Sequence, residues 1–408
     1  MQSVLFVVAH DSQFKWAASA AKPFRDNGWA VGFFSPTEHA RISEAQMADA
    51  GVSPDEVTSS DGRSNAWFWA EHDVVFFLTP GGITERYIYA LRERIQANPQ
   101  KRPIIVSAYV GMVIDGHVGG YLYRAASDLI CVNSPYDYEV YAEAAKDFGI
   151  STSSLEVTGL SIIGAETEPQ KEGDIRQVLF ADQLAIPDST IDRKVVYQNL
   201  LEYAVKHPSR RVIVKPRHRP DEGSFHKGKY PPETHFAGRP LPRNLSIDYT
   251  PISELLPTTD LLLTVSSTAA LEALAQGVRV GIIADVGVRE KHGNHMFIGS
   301  GLIRTFDQIA SDDIGSPSAD WLAKYQHHGV EPVQAIYNAV LKKLDERPAL
   351  IEAPILVARQ RFTNDPWGFR PAPKKRGPGP KTKSFIKDLL PPIAVRPSKM
   401  IARRLGII

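Results

Sequence analysis

A chain of 408 residues exceeds one ordinary domain, and its 43% hydrophobic share supplies apolar surface for two cores. The net charge of +1 hides an asymmetry: Arg370 to Ile408 carries eleven Lys/Arg against one acid, Asp388, leaving a body of 36 basic and 45 acidic residues. Cys131 is the only cysteine, which excludes an intrachain disulfide and suits a reducing compartment; no signal peptide is expected from MQSVLFVVAHD, and no apolar run is long enough to span a membrane.

Residues 4–9 are apolar and predict a first strand, ending in the polar turn His10-Asp11-Ser12-Gln13 before a helix over 14–26. Many nucleotide-handling α/β domains open this way. The Rossmann glycine fingerprint is absent, so a dinucleotide is not expected. A strand at 30–34 precedes a polar stretch, 41–66, with no clear pattern. The strand at 73–78 runs into Thr79-Pro80-Gly81-Gly82, followed by a helix over 84–97. Paired glycines there either admit a ligand close to the backbone or make a tight turn. Strands at 103–107 and 129–132, a Gly-rich segment at 111–121 and a helix over 138–148 complete one doubly wound unit. The polar stretch 165–173 reads as a linker.

Alternation resumes with a strand at 177–181, leading to Asp182-Gln183, and a helix over 192–205. The strand at 211–215 ends in Pro216-Arg217-His218-Arg219-Pro220; a loop over 223–243 and a short helix at 252–256 follow. The organising stretch is LLLTVSSTAALEALAQGVRVGII, residues 261–283. It predicts a strand, the hydroxyl turn Ser266-Ser267-Thr268, a helix over 269–276 stopped by Gly277, and another strand. Leu/Val/Ile runs without alternation point to a parallel sheet buried on both faces, whose ligands sit beyond the carboxyl ends of the strands. Helices over 332–346 and 349–361 close the body. The tail is Pro-broken, with basic residues beside apolar ones, which suits an anionic membrane surface; disorder and nucleic acid are the alternatives, and no nucleic-acid partner is expected.

Lys215, Arg217, His218 and Arg219 fall within five residues after a buried strand. Guanidinium groups bind phosphate bidentately, so this loop predicts an anion site, shared with Ser266, Ser267 and Thr268; a solvated basic loop is the bland alternative. His218 can hydrogen-bond or protonate a leaving phosphate. His292 and His295 lack a third ligand nearby, so no metal site is expected.

Two doubly wound halves, the Lys-Pro-x-His segment and the Ser-Ser-Thr turn before Ala-x-x-Glu-Ala resemble the GT-B glycosyltransferases. The nearest class contains bacterial polysialyltransferases, capsule Kdo transferases and CDP-glycerol polymerases, and the chain also resembles an uncharacterised glycosyltransferase family. Arg219 separates His218 from Pro220, a departure from the His-Pro element of that class. The resemblance covers mainly residues 175–300. It implies an acceptor domain over 1–164, a nucleotide-sugar donor domain over 174–365 and a tail over 366–408. Asp11 is then the candidate general base of an inverting transfer, with His10 and Asp115 behind it and Gly81 and Gly82 lining the acceptor side. Glu272 would reach a ribose or sugar hydroxyl, and Val280 stands where a Glu-x7-Glu pattern needs its second acid. Implied partners are a nucleotide sugar, a cytidine one first, a polysaccharide or lipid-linked acceptor, and a membrane whose cytosolic face the protein visits. Arg, Lys and hydroxyl groups suit metal-independent catalysis without a further cofactor. A sugar-nucleotide epimerase of similar shape and a non-catalytic scaffold are the alternatives.

Overall fold

A computed structural model describes residues 1–356 of the chain, except 40–41, 63–64, 98–101, 112–117, 165–167, 218, 220–229, 327–330 and 354. Strands β1 (Ser3–Val7), β2 (Ala30–Pro36), β3 (Val57–Ser60), β4 (Val74–Phe77), β5 (Ile104–Ala108), β6 (Leu129–Val132) and β7 (Leu155–Val157) form one sheet in the order β3-β2-β1-β4-β5-β6-β7. β8 (Gln177–Ala181), β9 (Arg211–Lys215), β10 (Leu245–Ile247), β11 (Leu261–Thr264), β12 (Arg279–Ile283) and β13 (Ile303–Arg304) form another, ordered β10-β9-β8-β11-β12-β13. Every pairing is parallel. These are the two Rossmann-like doubly wound domains expected. Helices cover both faces, so VVFF in β4, LICV in β6 and LLLT in β11 are buried at every position, which is why they carry no alternation.

Each sheet reverses its strand order once, between β1 and β4 in the first and between β8 and β11 in the second. Loops diverge at such a point and open a crevice at the carboxyl edge. Between the domains, the linker is pinned. Glu168 N–H donates to Ala275 O at 2.8 Å, Lys171 N–H to Gly277 O at 2.6 Å, and Lys171 Nζ to Thr259 O at 2.8 Å. Gly277 ends its helix at φ +67, as expected, and a Cβ there would overlap the Pro169 carbonyl oxygen. The helix stop is also the linker's dock.

Helix Pro332–Glu346 follows the second sheet in sequence, yet its apolar face of Ile336, Tyr337, Val340 and Leu344 joins the core of the first. Tyr337 meets Phe24 edge-on at 5.0 Å, and Phe24 in turn packs on Phe76. A second seam lies between helices Pro135–Asp147 and Ala319–Tyr325, where Lys324 Nζ sits 3.8 Å from the Tyr136 ring centroid.

Local differences from the sequence reading have physical causes. The first helix starts at Asp11 because the expected polar turn is its first turn: His10 O accepts from Gln13 and Phe14, and Gln13 Oε1 accepts from Ala9 N–H at 2.7 Å. No helix begins at 349. Arg347 turns left-handed at φ 44 just before Pro348, which disfavours helix in the residue preceding it, and 347–353 are irregular. Residues 1–356 form one compact unit; residues 357–408, which contain the expected tail, lie outside the described residues. Among the described residues, no helix is long and apolar enough to cross a membrane.

Candidate functional site

The segments after β1, β2, β9 and β10 meet in a cleft of about 470 Å³ at the carboxyl edges of the two sheets. Asp11, Lys15, Gln46 and Asp49 line it from the first domain; Lys215, Arg217, Arg219, Tyr249, Thr250 and Glu254 are among those lining it from the second. Asp11 and Arg217 close it, with Arg217 Nη2 donating to Asp11 Oδ1 at 3.3 Å. Burial pushes the Asp11 carboxyl up, but Arg217, the Ser12 N–H and Lys15 together hold it below the usual carboxylate range. Lys15 stands one helical turn from Asp11, on the same face.

The remaining cations are placed by their own contacts. Lys215 Nζ donates to Pro216 O at 2.7 Å, and the Arg219 guanidinium lies 5.1 Å from the Tyr249 ring centroid. His218, between the two arginines, lies outside the described residues, as does Asp115.

The hydroxyl turn follows β11, which flanks β8 on the side opposite β9. Two strand spacings separate β9 from β11, about 10 Å at the carboxyl edge. The cationic loop and the hydroxyl turn therefore share an edge, although the turn is not part of the cleft lining. Its three alcohols have different fates. Ser266 is buried: its N–H donates to Gln183 Oε1 at 2.9 Å and its hydroxyl donates to His292 O. Ser267 Oγ accepts from Ala269 N–H at 3.2 Å and stays half-buried, while Thr268 is half-buried with no capping bond. Thr268 faces the first domain, where a Cβ on Gly111 would lie 3.5 Å from its Oγ1.

Glu272, on the helix after this turn, is half-buried; burial raises its carboxyl above the usual range, and Lys15 across the interface draws it partly back. Lys15 thus acts on both Asp11 and Glu272, making an alternating series Arg217, Asp11, Lys15, Glu272 across the domain boundary. The sequence reading passed over Lys15, though its spacing from Asp11 was a usable signal. Gln46 and Asp49 come from the polar stretch that shows no pattern in sequence.

Of the residues expected to line an acceptor side, His10 is the N-cap residue of the first helix and its side chain makes no cap. The Tyr123 ring fills the space where a Gly81 side chain would stand, whereas Gly82 faces open space. Asp182 does not face the cleft. It accepts from Arg193 Nη2 at 3.0 and 2.8 Å and from the Tyr197 hydroxyl at 3.1 Å, and burial pushes it up to about 6 despite these partners. Among the described residues, no three His, Cys, Asp or Glu side chains cluster as metal ligands would.

No curated protein is similar enough in sequence to count as a relative. The fold is similar to that of a putative UDP-N-acetylglucosamine 2-epimerase from Listeria monocytogenes, at 12% identity and a TM-score of 0.57 over 84% of this chain and 97% of that one. It is likewise similar to MnaA of S. aureus in complex with UDP, at 10% identity and a TM-score of 0.55 over 85% and 97%. The lipopolysaccharide outer core galactosyltransferase WaaB matches over 84% and 100% at 12% identity and a TM-score of 0.48. Residues 4–343 match the model of the family described as "Putative glycosyltransferase (DUF6716)", and the chain belongs to that glycosyltransferase family.

Proposed function

We propose that the protein transfers a sugar from a nucleotide-sugar donor to a hydroxyl of a polysaccharide or lipid-linked acceptor, with inversion and without a metal. The observation that carries this reading is Arg217 facing Asp11 across one cleft: a cation able to hold phosphate and a carboxylate able to take a proton. Lys215, Arg217 and Arg219, with His218 between them, hold the donor phosphates, and Ser267 and Thr268 bind from the other side of β8. Ser266 supports the turn from within, and Glu272 addresses a ribose or sugar hydroxyl. His10 and Gly82 serve the acceptor side, a role the resemblance alone gives to Asp115; Gly81 serves by seating Tyr123.

In the transfer, the acceptor oxygen attacks the anomeric carbon from the face opposite the phosphate. Its proton passes to the Asp11 carboxylate, the carbon–oxygen bond to phosphate breaks, and the departing charge is met by lysine and arginine. The resemblance in sequence implies cytidine as the base, whereas the structural neighbour MnaA carries UDP. The basic tail provides attachment to the cytosolic face of a membrane, tested by flotation on anionic liposomes with and without residues 370–408.

The test of function is a panel of CMP, CDP, UDP, GDP and ADP read by thermal shift, followed by transfer assays with the sugar form of whichever ligand stabilises the protein. Transfer to an added glycan supports the proposal. Conversion of the sugar nucleotide without an acceptor would assign an epimerase instead, and stabilisation by none of the five would favour a scaffold.

A further inference from the structure

Among the described residues, the cleft is lined by as many carboxylates as cations. Asp11, Asp49, Asp248 and Glu254 stand against Lys15, Lys215, Arg217 and Arg219. An entering phosphate therefore meets a charge-balanced site and gains most by taking a cation from an acid already there. Arg217 is the one best placed to be taken. Its bond to Asp11 is single and 3.3 Å long, and its side chain is 39% exposed. An ion pair of that exposure is weak because solvent screens it, whereas phosphate offers guanidinium two parallel bonds. The contrast within the molecule is the buried Arg193–Asp182 pair, at 1% and 3% side-chain exposure, which has no route to exchange.

We propose that the donor phosphate and Asp11 compete for Arg217, so that the empty cleft keeps the general base masked and donor binding unmasks it. This rests on the reading of the cleft given above and adds an order to it: donor first, acceptor second. Asp11 keeps its position when the guanidinium leaves, because it is the first residue of the sixteen-residue helix Asp11–Asp26 and accepts from the Ser12 N–H. Lys15 remains beside it from the same helix. What changes is basicity. With Arg217 withdrawn, burial dominates and raises the affinity of the carboxylate for a proton at the moment the acceptor hydroxyl needs to lose one. Proton abstraction is thereby confined to the donor-bound enzyme.

The test is calorimetric titration of inorganic pyrophosphate and of UDP into the full chain and into Asp11→Asn, Asp11→Ala and Arg217→Ala. The two Asp11 variants should bind about two- to fivefold more tightly than the parent, because Arg217 no longer has to be released. Arg217→Ala should bind at least tenfold more weakly. The Asp11 carboxyl, followed by carbon-13 NMR, should titrate at a higher pH once pyrophosphate is bound. Unchanged or weaker binding by both Asp11 variants, with Arg217→Ala still impaired, would overturn the exchange and leave the phosphate site standing. Parental binding by Arg217→Ala would remove the site itself and the exchange with it.

Discussion

Gln183 holds Ser266 by its backbone, Oε1 accepting the Ser266 N–H at 2.9 Å across the point where strand order reverses between β8 and β11. The second residue after the first strand of the second domain thus sets the geometry of the hydroxyl turn after the fourth. Gln183→Leu leaves that buried N–H without an acceptor. A loss of about 1–3 kcal/mol in urea denaturation is expected. Nucleotide affinity should fall too, since Ser267 and Thr268 are carried by the same turn.

Arg193 secures the same loop from below, donating to Asp182, to Gln183 O at 2.6 Å and to Tyr230 O at 2.8 Å. Arg193→Met removes one partner of a buried pair and strands a carboxylate already pushed up to about 6. The expected cost is about 3–5 kcal/mol in equilibrium unfolding. Adding Asp182→Leu in the same chain should recover part of it, because the uncompensated acid is then gone. No recovery in the double variant would show that the carbonyl contacts, not the ion pair, matter.

Gly277 tests the linker's dock. Gly277→Ala places a side chain at φ +67 against the Pro169 carbonyl, so strain of about 1–2 kcal/mol is joined by displacement of residues 168–171. Limited proteolysis should then cut the linker faster than in the parent. Gly82→Ala, with open space around its Cβ, is the control expected to change stability by less than about 1 kcal/mol.

The Asp11–Arg217 pair makes stability depend on pH in a defined direction. Because the folded carboxyl is held below its unfolded value, the folded state binds its proton less readily, so the contribution is fully present above about pH 4. It is lost as the pH falls through the folded value. Half-exposure limits it to about 1 kcal/mol or less, and salt should reduce it further. Comparing the parent with Asp11→Ala in urea at pH 6 and at pH 3 should give a difference at the first that shrinks at the second.

Much of the fold was legible because its causes are local. Apolar runs such as VLFA, VIV and LLL have polar residues only at their ends, and the structure puts β8 and β9 at the residues expected. All four edge strands, β3, β7, β10 and β13, escaped notice, since a strand with one neighbour and few buried positions leaves a weak pattern. At the site, residue type announced the cations and the hydroxyl turn, but not which hydroxyl was spent. Ser266 and Thr268 are alike in sequence; one is consumed by Gln183 and His292 and the other looks toward Gly111.

From the chain alone came the two doubly wound units, the glycine at 277 that ends a helix and the charged loop after the strand at 211–215. All three follow from backbone sterics, hydrophobic period and residue chemistry within a few positions. Only the folded molecule decided that Asp11 meets Arg217, that Lys15 acts on both Asp11 and Glu272, and that helix Pro332–Glu346 returns to the first core. The pairs Asp11–Arg217, Lys15–Glu272 and Phe24–Tyr337 stand between about 200 and 320 positions apart, and the packing of one domain's carboxyl edge and helices on the other, rather than any local preference, selects them.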